Sequence, residues 1–169
     1  MPELVAVIDT SVLCCWLEVP GKQTAGNRWN INSARTAVDE ILDRSGTLIL
    51  PLSVVIETAN HIAQAGHSRR IKAQQLFARV VASLQGTHPW KQFDESQRLW
   101  TEEWYLRAQR DWPDFADRGI GLADYSIAAI SRYFFDLGAE VITLTADEAL
   151  AAEVGHLVPE MPTRRRPRR

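Results

Sequence analysis

A chain of 169 residues is long enough to bury a proper core and short enough that one domain is expected. Of its 19 Lys+Arg against 21 Asp+Glu, five arginines sit in the tail Thr163–Arg169; the body keeps 14 basic and 21 acidic residues, a charge of −7. That balance excludes capture of nucleic acid on a broadly basic face, and the lack of a long apolar stretch excludes a membrane-spanning helix. The chain opens on Leu4-Val5-Ala6-Val7-Ile8-Asp9-Thr10-Ser11. No basic segment precedes this apolar run and Asp9 interrupts it, so it does not read as a signal peptide. Cys14 and Cys15 are neighbours and rarely bridge, so a reduced, cytoplasmic protein is the default and both read as small buried residues.

In chain order, the first run predicts a strand buried on both faces, as in a parallel sheet. A short helix over Thr10 to Leu17 follows, then a Gly- and Asn-rich loop, Pro20 to Asn32. Ser33 is the expected cap of a helix with Ala34, Ala37, Val38, Ile41 and Leu42 at helical spacing, stopped by Gly46. Thr47–Leu50 reads as a strand closed by Pro51, and Ser53 as the cap of a helix over Val54 to Ala65, its core face Val55, Ile56, Ala59, Ile62 and Ala63. A helix over His67 to Leu84 has Ile71, Leu76, Val80, Val81 and Leu84 as its apolar members, and His88 to Phe93 is a weak strand. Asp94 opens a helix to about Arg110, with the acids Asp94 and Glu95 at its N-terminus, and Trp112 to Gly121 is a loop. Leu122 to Leu137 is a strong helix, Glu140 to Leu144 a buried strand, and Thr145 to Val154 a short helix with Thr145-x-x-Glu148 as a capping box. Strands alternating with helices predict right-handed crossovers and an α/β fold of three layers, α/β/α, around a central parallel sheet. The domain is expected over residues 1–158, with 159–169 a flexible basic tail able to hold RNA phosphates.

Four carboxylates fall at strand ends or helix beginnings. Asp9 ends the first strand, Glu57 lies one turn into the helix after Leu50, Asp124 begins the strongest helix, and Asp147 follows the strand ending at Leu144. In a parallel sheet these places share one edge, the edge that holds the chemistry. Asp124 extends the apolar line Ile127, Ile130 and Phe134 backwards, where an unpaired charge is costly unless a helix N-terminus or a cation such as Arg118 compensates it. His61 is spaced to hydrogen-bond Glu57. Each acid alone has a structural explanation in helix capping or solvation. Together they would repel unless a proton or a cation neutralises them, and hard cations such as Mg²⁺ or Mn²⁺ prefer such oxygen ligands. No Walker loop, GxGxxG or GxSxG competes.

Val7-Ile8-Asp9-Thr10-Ser11-Val12-Leu13, Pro51-Leu52-Ser53-Val54-Val55-Ile56-Glu57, Gly121-Leu122-Ala123-Asp124-Tyr125-Ser126-Ile127 and Thr143-Leu144-Thr145-Ala146-Asp147, in this order and approximate spacing, resemble a PIN domain over nearly the whole chain. The resemblance implies a Mg²⁺- or Mn²⁺-dependent endoribonuclease, with Asp9, Glu57, Asp124 and Asp147 at the acidic positions. Asp9 and Asp124 match those most often named as metal ligands, and Thr10, Ser11 and Thr145 match supporting hydroxyls. Many bacterial relatives are VapC-like toxins held inactive by a small antitoxin lying across the acidic site. The chain departs from a minimal member in its long loop Pro20 to Asn32 and in a segment holding Trp90, Trp100, Trp104 and Trp112. Trp100 and Trp104 are expected one turn apart on a helix, packed into the core or offered to a partner or homodimer. Two other classes fit less of the chain. One is a non-catalytic PIN-like module that binds RNA or a protein. The other is a phosphatase with Asp9 as nucleophile, which wants a second acid where Ser11 stands.

Overall fold

The computed structural model describes residues 2–93 and 98–159. The expected tail and the Asp94-Glu95 pair lie outside the described residues. The chain forms an α/β fold with seven helices, among the described residues, around a five-stranded and mostly parallel sheet. Strand β1 (Leu4–Ile8) is central, and all five of its residues are buried. It pairs in parallel with β2 (Thr47–Ile49) on one side and with β4 (Glu140–Leu144) on the other. Beyond β2 lies β3 (Trp90–Lys91), parallel; beyond β4 lies β5 (His156–Leu157), antiparallel. The order is β3-β2-β1-β4-β5.

This order positions the site. From β1 the chain moves outward to β2 and β3, then returns past β1 to lay down β4 on its other side. The direction of winding therefore reverses between β1 and β4, and a crevice forms beyond their carboxyl ends. Asp9 leaves β1 there and Thr145 leaves β4. The Asp9 N–H donates to the Leu144 carbonyl at 2.9 Å, tying the two strand ends together.

The helices are α1 (Thr10–Trp16), α2 (Ile31–Asp43), α3 (Leu52–Gln64), α4 (Arg69–Leu84), α5 (Glu102–Asp117), α6 (Leu122–Asp136) and α7 (Glu148–Val154). No helix among the described residues is long and apolar enough to cross a membrane. Strand β4 has the expected bounds, and α1, β2 and α6 differ from expectation by one residue at the C-terminal end. β5 was not anticipated, because two residues leave too little pattern to read.

Several caps differ from expectation. α2 begins earlier, capped by Asn30, whose side chain accepts from the Asn32 and Ser33 N–H groups. Ser33 is its reciprocal partner, accepting from the Asn30 N–H at 2.9 Å. Ser53 does not cap α3; Pro51 precedes the helix, and the buried Ser53 hydroxyl lies 3.1 Å from that of Ser126 on α6. α7 is capped by Asp147, not by Thr145.

Two helix faces are also rotated. On α3 the buried line is Ser53, Val54, Thr58 and Ile62, whereas Ile56 is 53% exposed. On α4 only Leu76 and Ser83 are buried, and Ile71, Phe77, Val81 and Leu84 face outward. α4 packs chiefly on α3 and β3 at the end of the sheet, so it has one narrow contact line and not a full core face.

The Trp-rich segment differs most. α5 starts at a Thr101 cap that accepts from the Trp104 N–H at 3.2 Å, with Glu102 and Glu103 favouring its first turn. It runs through Pro113 to Asp117, across much of the stretch expected to be a loop. The proline gives up one helical hydrogen bond, but Trp112 and Phe115 pack against the core and the Trp112 indole N–H donates to the Ile120 carbonyl at 3.3 Å. Trp100 does pack on Trp104, with ring centroids 4.6 Å apart, but from ahead of the cap and with a positive φ.

Candidate functional site

Four elements bring their carboxylates to one cavity of about 390 Å³ at the crevice between β1 and β4: Asp9, Glu57, Asp124 and Asp147 all line it, with Thr10 and Ser11. All four acids singled out in the sequence are thus brought together.

Asp9 is 5% exposed and fully engaged on the protein side. Its Oδ1 accepts from the Thr10 N–H, capping α1, and its Oδ2 accepts from Ser11 Oγ at 2.7 Å and Thr145 Oγ1 at 2.8 Å. A carboxylate offers about four lone-pair sites, so three hydrogen bonds leave room for one further contact. Capping and a cavity role are compatible on these oxygens. Ser11 Oγ also accepts from the Ala146 N–H at 3.0 Å, and Thr145 Oγ1 accepts from the Asp147 N–H at 3.0 Å. Two hydroxyls therefore couple the start of α1 to the turn after β4.

Asp147 accepts from the Leu150 N–H through Oδ1 at 2.7 Å. Its Oδ2 has no hydrogen bond among the described residues. Glu57 is exposed, and its Oε2 accepts from Thr10 Oγ1 at 2.8 Å. Thr10 is thus the partner the spacing suggested for His61, which interacts with Glu57 only through its charge.

Asp124 stands at the first turn of α6. Its carboxyl is pushed from an ordinary 3.8 up to about 6, first by burial, then by the negative charges of Asp9 and Asp147. A hydrogen bond to the Gly121 backbone opposes the rise, and Glu57 adds to it. Arg118 does not compensate this acid; it pairs with Glu153 at 3.4 Å. Mutual repulsion among the acids is therefore expressed at Asp124.

Sequence reasoning missed part of the wall. The long loop after α1 is part of the site: Lys22, Thr24 and Ala25 line the cavity, as do Cys14 and His61. Trp29 closes the same loop, donating from its indole N–H to the Thr145 carbonyl at 2.8 Å. Nothing in the local pattern marks Lys22; only the return of the loop over the crevice does. Burial lowers the His61 pKa and Lys22 lowers it further. Burial pushes the Cys14 thiol up to about 11, so it is a filler and not a nucleophile.

Among the described residues, no three His, Cys, Asp or Glu side chains converge closely enough to hold a metal ion by protein ligands alone. Hard oxygen nonetheless dominates the donor set, with four carboxylates and three hydroxyls beside the Cys14 thiol and the His61 ring. That suits Mg²⁺, which takes one or two carboxylates and keeps waters, better than a closed structural site. Asp9, with a remaining lone-pair site, and Asp124, with its raised carboxyl, could both hold such an ion. Compared with protein-family models, with curated proteins and with solved structures, the chain matches none.

Proposed function

We propose that the protein is a Mg²⁺- or Mn²⁺-dependent endoribonuclease that hydrolyses RNA phosphodiester bonds, as its resemblance to PIN domains implies. The observation that carries this reading is the convergence of Asp9, Glu57, Asp124 and Asp147 on one cavity, with the Asp124 carboxyl raised to about 6 by its burial and then by its acidic neighbours. A cluster that stores repulsion in this way is a site for a cation, and nearby charge of this kind is characteristic of functional acids. A bound Mg²⁺ would act as a Lewis acid on the phosphate and help ready a water.

The chain's own part is positioning. Thr145 and Ser11 hold Asp9 Oδ2, and the cap holds Oδ1, so this carboxylate cannot swing. Thr10 holds Glu57 Oε2 and leaves Oε1 to orient the attacking water. Asp124, at the N-terminus of α6, would lend its carboxylate to such a cation, which would relieve the repulsion of Asp9 and Asp147. Lys22 on the cavity wall is a counter-charge for a substrate phosphate that the body, at −7, otherwise repels.

The test is cleavage of a mixed-sequence single-stranded RNA by the purified chain with Mg²⁺ or Mn²⁺, with EDTA, and with Asp9→Asn or Asp124→Asn. The expected result is cleavage that needs metal and falls in either variant by more than the roughly 10- to 100-fold typical of losses behind a metal ligand. Equal cleavage in all arms sinks the mechanism. A toxin role adds a small antitoxin protein, and co-purification of a short partner that blocks cleavage would establish it.

The lack of a three-ligand cluster among the described residues favours one second reading, a PIN-like module that binds RNA or a protein without cutting. It predicts binding and no cleavage under either metal.

A further inference from the structure

A second cavity, of about 380 Å³, lies away from the acids between α5 and α6. Its size is that of a small-ligand site. One face of α6 supplies its wall: Tyr125, Ala128, Ala129, Arg132, Tyr133 and Asp136 recur at helical spacing and all line it. Opposite them, α5 contributes Trp104, Arg107 and Phe115, and Arg98 lies at the approach to α5.

The lining has two chemistries. Aromatic rings form the walls: Trp104 and Tyr125 stand 5.8 Å apart, and Phe115 meets Tyr125 at 5.0 Å. Three guanidinium groups, from Arg98, Arg107 and Arg132, are set against the carboxylates of Asp111 and Asp136, so the lining is net positive on an acidic body. The Arg98 guanidinium lies 4.5 Å over the Tyr133 ring. Arg107 and Arg132 carry carboxylate partners in Glu103 and Glu153, but both guanidiniums are more than half exposed and can exchange partners. Trp104 is 6% exposed, and its indole N–H is buried with no hydrogen-bond partner among the described residues. A buried tryptophan N–H usually has one. Planar rings and guanidiniums are what an aromatic anion needs.

The place matters as much as the lining. Asp124 faces the acidic cavity, and the next residue, Tyr125, begins the wall of this one. From Tyr125 to Tyr133 the helix advances about 12 Å at 1.5 Å per residue. The two cavities are thus lined from consecutive residues of one helix.

We propose that this cavity is a nucleotide-binding subsite for single-stranded RNA, stacking a base on its aromatic wall and pairing phosphate with Arg98 and Arg107. Stacking plus guanidinium contact is the usual means of holding single strands with little sequence preference. The proposal deepens the ribonuclease reading, since the strand it holds is that enzyme's substrate.

The experiment measures binding of a fluorescein-labelled single-stranded hexaribonucleotide by anisotropy in EDTA, where no cleavage occurs. Wild type is expected to bind and to be competed by AMP more effectively than by inorganic phosphate. The double variant Arg98→Gln/Arg107→Gln, which changes two residues on the outer surface, should bind at least tenfold more weakly. It should also lose about 1.4 from the slope of log affinity against log salt, about 0.7 per phosphate contact. Tyr133→Ala, which removes the ring that carries the Arg98 guanidinium, should also weaken binding, with Tyr133→Phe restoring it. No binding by wild type, an unchanged double variant, or equal competition by phosphate and AMP would each overturn the subsite. The two readings fail separately: metal-dependent cleavage with unchanged variant binding removes the subsite alone, and subsite binding by a chain that never cleaves removes the ribonuclease alone.

Discussion

Replacing Asp124 by Asn tests whether burial and the neighbouring acids together hold this carboxyl above its ordinary range. In the metal-free protein its pKa is raised from 3.8 to about 6. A native state with the higher pKa holds the proton more tightly than the unfolded chain. Stability is therefore greatest below the unfolded value and is lost as pH rises through about 6. The whole difference amounts to about 3 kcal/mol at about 1.4 kcal/mol per pH unit. Within the workable window of pH 5 to 7.5, linkage gives a loss of about 1.4 kcal/mol. For a domain of this size that is a fall in Tm of about 3–6 °C. The assay is thermal melting of wild type and Asp124→Asn across that window in EDTA. The pKa of His61 is lowered, so its contribution runs the other way, stability being lost as pH falls through its range; it is present in both proteins and cancels in the difference. The variant should show a flatter profile and be the more stable at pH 7.5. Mg²⁺ at a hundred times its Kd should then add about 2.7 kcal/mol to wild type at pH 7.5 and markedly less to the variant. Superimposable pH profiles for the two proteins would refute the raised Asp124 carboxyl.

Thr145→Val removes the hydroxyl that donates to Asp9 Oδ2 and accepts from the Asp147 N–H; RNA cleavage should fall by about 10- to 100-fold, as for other losses behind a metal ligand, with the fold intact by circular dichroism. Leu76→Ala on α4 should cost about 2–5 kcal/mol in a urea melt, whereas its neighbour Phe77→Ala should stay within about 0.5 kcal/mol, because Leu76 is fully buried and Phe77 is 57% exposed. Gly46→Ala should cost about 1–3 kcal/mol in the same melt, since a Cβ there would meet Leu4 at 2.9 Å and Ile41 at 3.0 Å; a neutral result would mean that the turn before β2 yields easily.

The strands that build the crevice were legible from the chain alone. A run such as Leu4–Ile8 has no polar residue to offer solvent, and only a sheet covered on both faces accommodates it. The same logic made Asp9, Glu57, Asp124 and Asp147 candidates, because parallel strands put their ends on one edge. Helix faces were less legible. The apolar residues of α4 have helical spacing, but spacing does not say how many neighbours a helix will have, and at the end of this sheet it has few. Trp112 to Gly121 read as a loop, whereas the packing of Trp112 and Phe115 carries the helix through Pro113 to Asp117.

What the sequence determined by itself is the alternation of strand and helix and the identity of the acids, because both rest on local patterning and on the cost of burying charge. Tertiary structure alone decided which groups meet. It bent the loop after α1 back so that Lys22 and Trp29 reach the site. It gave Asp9 to Thr145, 136 residues away, and it paired α5 with α6 around an aromatic cavity. Such contacts join residues far apart in the chain, and their free energy exists only once the sheet has brought the segments together.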